Sequence, residues 1–490
     1  MAEPPPQDDI FYAKPRSGRL KANAVGPWGL AALAIGITSP AIGLYALWGP
    51  MQVAAGPVTP LIFLAAMILT LPTAISYACL NRETPSAGAA CTWLWSAVSP
   101  LLGIQGGLLM TTYFIMAAVA QPLMFALFFQ DLVTWLGVAP AHITTLVSGV
   151  LISSLPIAWI CLRGAASSVK STIRLMILET IVVLALSLTI IVVRQGQGNI
   201  NWDAFDPHRI RSLMGFWDAM ILGVLAFCGF DVVSTAAEEA HAPREHLPKA
   251  ILLTILGMGA FWAMNAWAFT LSTSDDQVRQ YTTRGLTAVT GMAQHYWGGA
   301  NLIIILTAFT GLTAVYISSM QGASRIVFAL ARHGIFPRAL AHLTGAQHVP
   351  RNAVLAVLVA VITLDLFTLF VLRNGLESFT WWANALVFFA TLTFLCVNIA
   401  NVVWFRRFAR PRFGLVKNLL IPIIGISVNA YLIYAAFFVS LWHGDWRTGK
   451  SVVVASMLIV CCQFVALVYV RVCKRSLLIG HPPLAVDTQG

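Results

Sequence analysis

Charge is what this sequence has least of. Only 10% of its 490 residues are Asp, Glu, Lys or Arg, where a soluble domain carries about 25%. That scarcity excludes a soluble globular protein. Cysteine is sparse as well: Cys79, Cys91, Cys161, Cys228, Cys396, Cys461, Cys462 and Cys473 contain no Cys-x-x-Cys pair. Most lie in or beside apolar runs and read as small fillers, so neither a disulfide framework nor a zinc site is supported. A Gly-x-x-x-x-Gly-Lys-Ser/Thr loop is missing, which excludes an ATP-driven pump within this chain. The histidines fall mainly in loops (His142, His208, His241, His333, His443) and no catalytic constellation accompanies them. The chain is therefore expected not to be an enzyme and to need no cofactor. No cleavable signal is expected: residues 1–28 are polar and Pro-rich and read as a disordered cytoplasmic tail.

Apolar residues, at 58%, are what the chain has in abundance. They gather into twelve runs long enough to cross a bilayer: 29–52, 57–80, 100–130, 143–162, 171–193, 215–240, 249–272, 300–331, 352–372, 379–405, 417–441 and 450–472. One transmembrane domain, 29–472, is predicted, followed by a cytoplasmic tail, 473–490. Segments 81–99, 332–351 and 406–416 are inner loops, and 194–214 and 273–299 are solvated outer loops. Trp28, Trp48, Trp297, Trp442 and Trp446 fall at span ends and read as interface anchors.

The net charge of +11 invites a nucleic-acid reading, and its distribution argues against one. With the N-terminus placed in the cytoplasm, the inner segments hold twenty Lys and Arg and the outer ones eight. Arg174 and Arg325 lie within helices. This bias predicts both termini inside. The basic balance then serves topology and contact with anionic membrane lipid, and no nucleic-acid partner is expected.

Two runs are broken in mid-span. The first breaks at Gly36-Ile37-Thr38-Ser39-Pro40, the second at Phe227-Cys228-Gly229-Phe230-Asp231. Unpaired backbone groups in lipid are costly, so such breaks persist only against protein or a wet cavity. They fall in spans one and six. The second comes five spans after the first, so the second unit enters from the opposite side, as in an inverted five-plus-five repeat (29–193 and 215–405) with spans eleven and twelve (417–472) outside it.

In the first break, Ser39 followed by Pro40 reads as an N-cap and first helical residue. The N–H groups of Ala41, Ile42 and Gly43 then suit a substrate carboxylate, and the carbonyls near Gly36 an ammonium. A Pro kink packed on a neighbouring helix is the plainer alternative. In the second break Gly229 can end one half-helix and Asp231 can cap the next, pair with a substrate amine or carry a coupling proton. Phe227 and Phe230 flank it, as stacking residues or as packing. Glu179, inside span five, is a second protonatable group, or is satisfied by Arg174 or backbone. Thr313, Ser318 and Ser319 in span eight are the sodium-ligand alternative, against ordinary helix bonding. Asp365 in span nine reads as a helix contact, and Asp218 as favouring a helix N-terminus. Glu238 and Glu239 form gate ion pairs with Arg82 or Arg163, or simply sit at a solvated helix end.

Four stretches carry a family likeness. They are the broken span one with Gly49-Pro50; Pro85-Ser86-Ala87-Gly88; Gly229-Phe230-Asp231 with Glu238-Glu239, Pro243-Arg244 and Leu247-Pro248-Lys249-Ala250; and Ser324-Arg325 through Ala331-Arg332-His333-Gly334 to Pro337 and Pro350. Over residues 25–475 the chain resembles the amino acid–polyamine–organocation superfamily of permeases. It departs from many relatives in lacking Gly-x-Gly in span one. The resemblance implies an all-α membrane protein of the LeuT-type fold, with spans one, two, six and seven rocking against three, four, eight and nine. It implies a plasma-membrane (inner-membrane in bacteria) transporter of amino acids or related amines. The substrate-binding residues are Thr38, Ser39, Pro40, Ala41, Ile42, Gly43, Phe227, Cys228, Gly229 and Phe230. Proton coupling through Asp231 or Glu179 is expected; an exchanger or a sodium symporter is the alternative, and a channel or membrane enzyme the rival of another class.

Overall fold

The computed structural model describes residues 23–138, 142–163, 165–283, 287–345, 348–444 and 446–473. Most of the expected N-terminal tail and nearly all of the C-terminal one lie outside these, as do their basic residues. The described part is helical, with twelve helices long and apolar enough to cross a membrane. In order they are Pro27–Tyr45, Thr59–Glu83, Pro100–Trp135, Ile143–Leu162, Lys170–Gly196, Leu213–Thr235, Pro243–Ser272, Ala288–Arg332, Arg351–Leu372, Gly375–Phe408, Val416–Ile433 and Ser451–Val472. They are called spans one to twelve below.

Local chemistry sets their starts. Ser99 accepts from Leu102 N at 3.3 Å, Ser212 from Gly215 N at 3.0 Å, and Asn374 from Leu376 N and Glu377 N. Each satisfies a donor that the first helical turn leaves unpaired. Spans one, three and seven begin with Pro27, Pro100 and Pro243, where the missing N–H costs nothing. Leu188, Val192 and Ile181 of span five are exposed, as are Leu458, Phe464 and Val465 of span twelve. These two spans turn apolar faces outward to lipid.

Packing sorts the inner helices into two groups. Span seven packs on two and one, and span six packs on two and on the helix that continues span one, Trp48–Ala55. Span three packs on four and eight, and span nine on four and eight. Spans one and eight meet across the boundary. This is the LeuT-type arrangement, and both broken helices lie in the first group.

Four expectations change. Residues 23–28 are not tail: Val25 is buried, donates to Glu239 O and accepts from His241 N, and span one starts at Pro27. Segment 81–99 is not a simple loop, because its helix Ala90–Ala97 is buried and Trp93 Nε1 donates to Thr84 O at 2.8 Å. Segment 273–299 holds helices Asp275–Thr283 and Ala288–Trp297; the inner face of the second, including Val289, Met292 and Ala293, is buried. Its small side chains let it lie against span one, where a Cβ on Gly49 would come within 2.6 Å of Ala288. Trp48 is no interface anchor: it is fully buried and donates to Thr270 Oγ1, whereas Trp28, Trp442 and Trp446 are exposed.

Candidate functional site

Pro40 brings about the first break. It has no N–H, so the Gly36 carbonyl loses its helical partner, and no backbone N–H returns to the Ile37 carbonyl either. The first half ends at Thr38 and Ser39 takes a positive φ of 43°. The second half starts at Ile42, two residues later than Pro40 predicts, with Ala41 at the N-cap position; Ser39 Oγ still accepts from Ile42 N at 3.1 Å.

The donors of that second half are not free, contrary to expectation. Glu179 Oε2 accepts from Ser39 Oγ at 2.5 Å and from Ala41 N at 3.3 Å. Gly43 N turns back to Ser39 O. A protein carboxyl therefore occupies the place the sequence offered to a substrate carboxylate. Arg174 is exposed and plays no part. Span eight yields room for this contact at Gly311, where a Cβ would come within 3.0 Å of Ser39 Oγ and 3.1 Å of Glu179 Oε2.

The second break follows its predicted stop. Gly229 has φ of 109°, a conformation costly for any side chain, and a Cβ there would meet Ile37 of the first break at 2.8 Å. The two breaks thus touch. Asp231 departs from expectation. Its side chain does not cap the short helix Val232–Thr235. It accepts from Tyr113 OH at 2.6 Å and Tyr77 OH at 3.2 Å. Hydrogen bonds to a charged group contribute about 1.5–3 kcal/mol each, more than a cap, which explains why the carboxylate turns away from its own helix. Phe230 packs on Tyr77 and Phe394 with ring centroids 5.4 and 5.3 Å apart, and Phe227 packs on Trp262 at 5.1 Å. Both phenylalanines are fully buried and act as packing.

A cavity of about 70 Å³ lies between the breaks, and Ile37, Thr38, Ile42, Gly43 and Cys228 line it with Gln121 and Ser319. Ser39, Pro40, Ala41, Gly229 and Asp231 stand behind this lining. Gly43 is there because a Cβ would collide with the Trp262 ring at 2.4 Å; Trp262 Nε1 in turn donates to Pro40 O.

The site is sealed toward the face where span one begins. Glu239 pairs with Arg325 at 2.5 Å, and Glu238 pairs with Arg332 through both guanidinium nitrogens at 2.5 and 3.0 Å. The expected partners are not used: Arg82 and Arg163 are exposed, and Arg163 lies over the Trp159 ring. Arg325 and Arg332 are seven residues apart, two turns along one face, so they reach adjacent acids. Burial pushes Glu239 up from the usual carboxyl range, an effect Arg325 partly offsets.

The remaining residues scatter. Ser319 Oγ bonds Val315 O, Ser318 Oγ has no partner and lies beside Gly36, and Thr313 is half-buried. Among the described residues no three His, Cys, Asp or Glu cluster to hold a metal. Asp365 is fully buried and neither oxygen is hydrogen-bonded. Asp218 is exposed in the second turn of span six. Sequence reasoning missed Tyr77, Tyr113, Gln121, Trp262 and the two arginines as partners. A polar residue within an apolar span was the available signal for Tyr113 and Gln121.

Twelve spans, two touching breaks in the first and sixth, and a cavity between them define a multi-pass membrane protein of the LeuT-type fold. Residues 25–465 match the family model described as Amino acid permease, and the chain belongs to that family, within the amino acid–polyamine–organocation superfamily. Among its relatives is the branched-chain amino acid permease BcaP of Bacillus subtilis, 26% identical over 70% of this chain and 74% of that protein. The low-affinity putrescine importer PlaP of Escherichia coli is 24% identical over 71% and 74%. The methylthioribose transporter of Bacillus subtilis is 23% identical over 65% and 69%.

Proposed function

We propose that this chain is a secondary active transporter of the plasma membrane, moving an amino acid or related amine by alternating access between spans one, two, six and seven and spans three, four, eight and nine. The cavity between the two breaks, closed on one face by two buried ion pairs, carries this reading. The permeases for branched-chain amino acids and for putrescine among its relatives support the substrate range. The excess of Lys and Arg on the inner side supports cytoplasmic termini, with the sealed face inward. Protons are the coupling ion. Asp231 and Glu179 are carboxyl groups beside the breaks, fully buried, and their hydrogen-bond partners are hydroxyls and a backbone N–H, without a basic side chain. A carboxyl so placed binds a proton or a cation whenever it is not otherwise paired.

The test uses purified protein in liposomes, with a substrate found by thermal-shift screening of amino acids and amines. Asp231→Asn or Glu179→Gln is expected to abolish pH-driven accumulation and to spare exchange of pre-loaded substrate. Unchanged pH dependence in both variants would refute carboxyl coupling and favour sodium at Thr313, Ser318 and Ser319.

A further inference from the structure

Several features of the cavity favour a cation, and the donors of the first break, which would suit an anion, are already filled. Span one's first half and span six's first half both end at the breaks, so two helix C-termini, the negative dipole ends, face them. The carbonyls of Gly36, Ile37 and Ala226 receive no backbone N–H; Ile37 and Ala226 also line the cavity. Gln121 adds an amide oxygen, since its nitrogen is tied to Ala117 O at 3.1 Å. The positive end of span one's second half is covered by Glu179, through Ser39 Oγ and Ala41 N. No Lys, Arg or His lines the cavity. A substrate carboxylate would have to displace Glu179 from both donors and then lie beside it, a like-charge contact in a low dielectric.

We propose that the transported substrate is a small aliphatic amine without an α-carboxylate, and that Glu179 excludes amino acids by occupying the donors their carboxylate would need. This rests on the transporter reading above and narrows it. The ammonium goes to the carbonyls of the first break, which need donors. The alkyl part meets Ala117, Ala120, Ala226 and Ala383, and a cavity of about 70 Å³ bounded also by Leu225 and Leu386 leaves room for a short chain only. Exclusion comes from occupancy of Ser39 and Ala41, and it is strongest while Glu179 is ionised, when its bonds are charge-assisted and it repels a second carboxylate.

The experiment compares amines with the amino acids that differ from them by one carboxylate: isoamylamine with leucine, and putrescine with ornithine. Thermal shift in detergent and uptake into liposomes are both read on the wild-type protein. The expected result is half-saturation by at least one amine at a concentration at least about tenfold below that of its parent, the least that displacing one charge-assisted hydrogen bond costs. In Glu179→Ala, which frees both donors, the parent should gain several-fold while the amine does not. Leucine or ornithine matching or beating its amine in the wild type overturns the proposal and leaves the transporter reading standing. A folded Glu179→Ala that still rejects the parent removes Glu179 as the excluding group. No response to either pair also overturns the proposal, and the transporter reading falls with it only if the wider screen of amino acids and amines is silent too.

Discussion

Neutralising Glu238 should open the sealed face. Its carboxylate holds Arg332 through two hydrogen bonds, and the two side chains are only 10% and 3% exposed. Glu238→Gln keeps the shape and leaves a buried guanidinium without its counter-charge, a loss of about 3–5 kcal/mol. The Phe328 ring, 5.2 Å from the guanidinium, is present in both forms, and such a contact contributes only about 0.5–1 kcal/mol. A net cost near the low end, about 3 kcal/mol, corresponds to roughly a hundredfold shift in the closed-to-open ratio of this face. Cys228 reports it directly, because it lines the cavity and is 8% exposed. In a variant keeping only this thiol, an impermeant reagent applied from the face where span one begins should react roughly a hundredfold faster after Glu238→Gln. The double variant Glu238→Gln, Arg332→Gln should recover much of the protection, because no unpaired charge is then buried. Unchanged reactivity in the single variant would show that Glu238–Arg332 does not hold this face closed.

Other consequences are open to direct measurement. Gly229→Leu must adopt a φ of 109° and drive a side chain into Ile37, so substrate-induced thermal shift should vanish while the protein still inserts; normal binding would remove the break from the site. Tyr113→Phe deletes the 2.6 Å bond to Asp231 and should cost about 1.5–3 kcal/mol, seen as a lower midpoint of unfolding and altered pH dependence of uptake. His333, just beyond span eight, is pushed down to about 4 by burial first and by the Arg332 charge second. The folded protein therefore leaves it neutral while the unfolded chain, with an ordinary value near 6.5, takes a proton. Stability should fall as pH drops from about 6.5 toward 4, and His333→Gln should flatten that fall in a thermal series. Single cysteines at residues 273–283 should be labelled from outside intact cells and one at position 340 should not; the reverse pattern would invert the proposed orientation.

Composition alone determined that this is a membrane protein of twelve spans, because bilayer thickness sets a length that only sustained apolar runs satisfy. Pro40 and Gly229 marked the breaks, since one lacks an N–H and the other tolerates a positive φ; both are properties of single residues. The family was legible for the same reason: its stretches around Gly229 and Arg325 are local. What each charged group does was not local. Asp231 stood where a helix cap belongs, yet Tyr77 and Tyr113 from two other spans take it. Glu238 and Glu239 found Arg332 and Arg325 rather than Arg82 or Arg163. Glu179 reached Ser39 across a sequence separation of 140 residues, through the space Gly311 leaves open. A buried carboxyl takes whatever donors the packing brings within hydrogen-bond reach, and only the tertiary arrangement of the spans decides which donors those are.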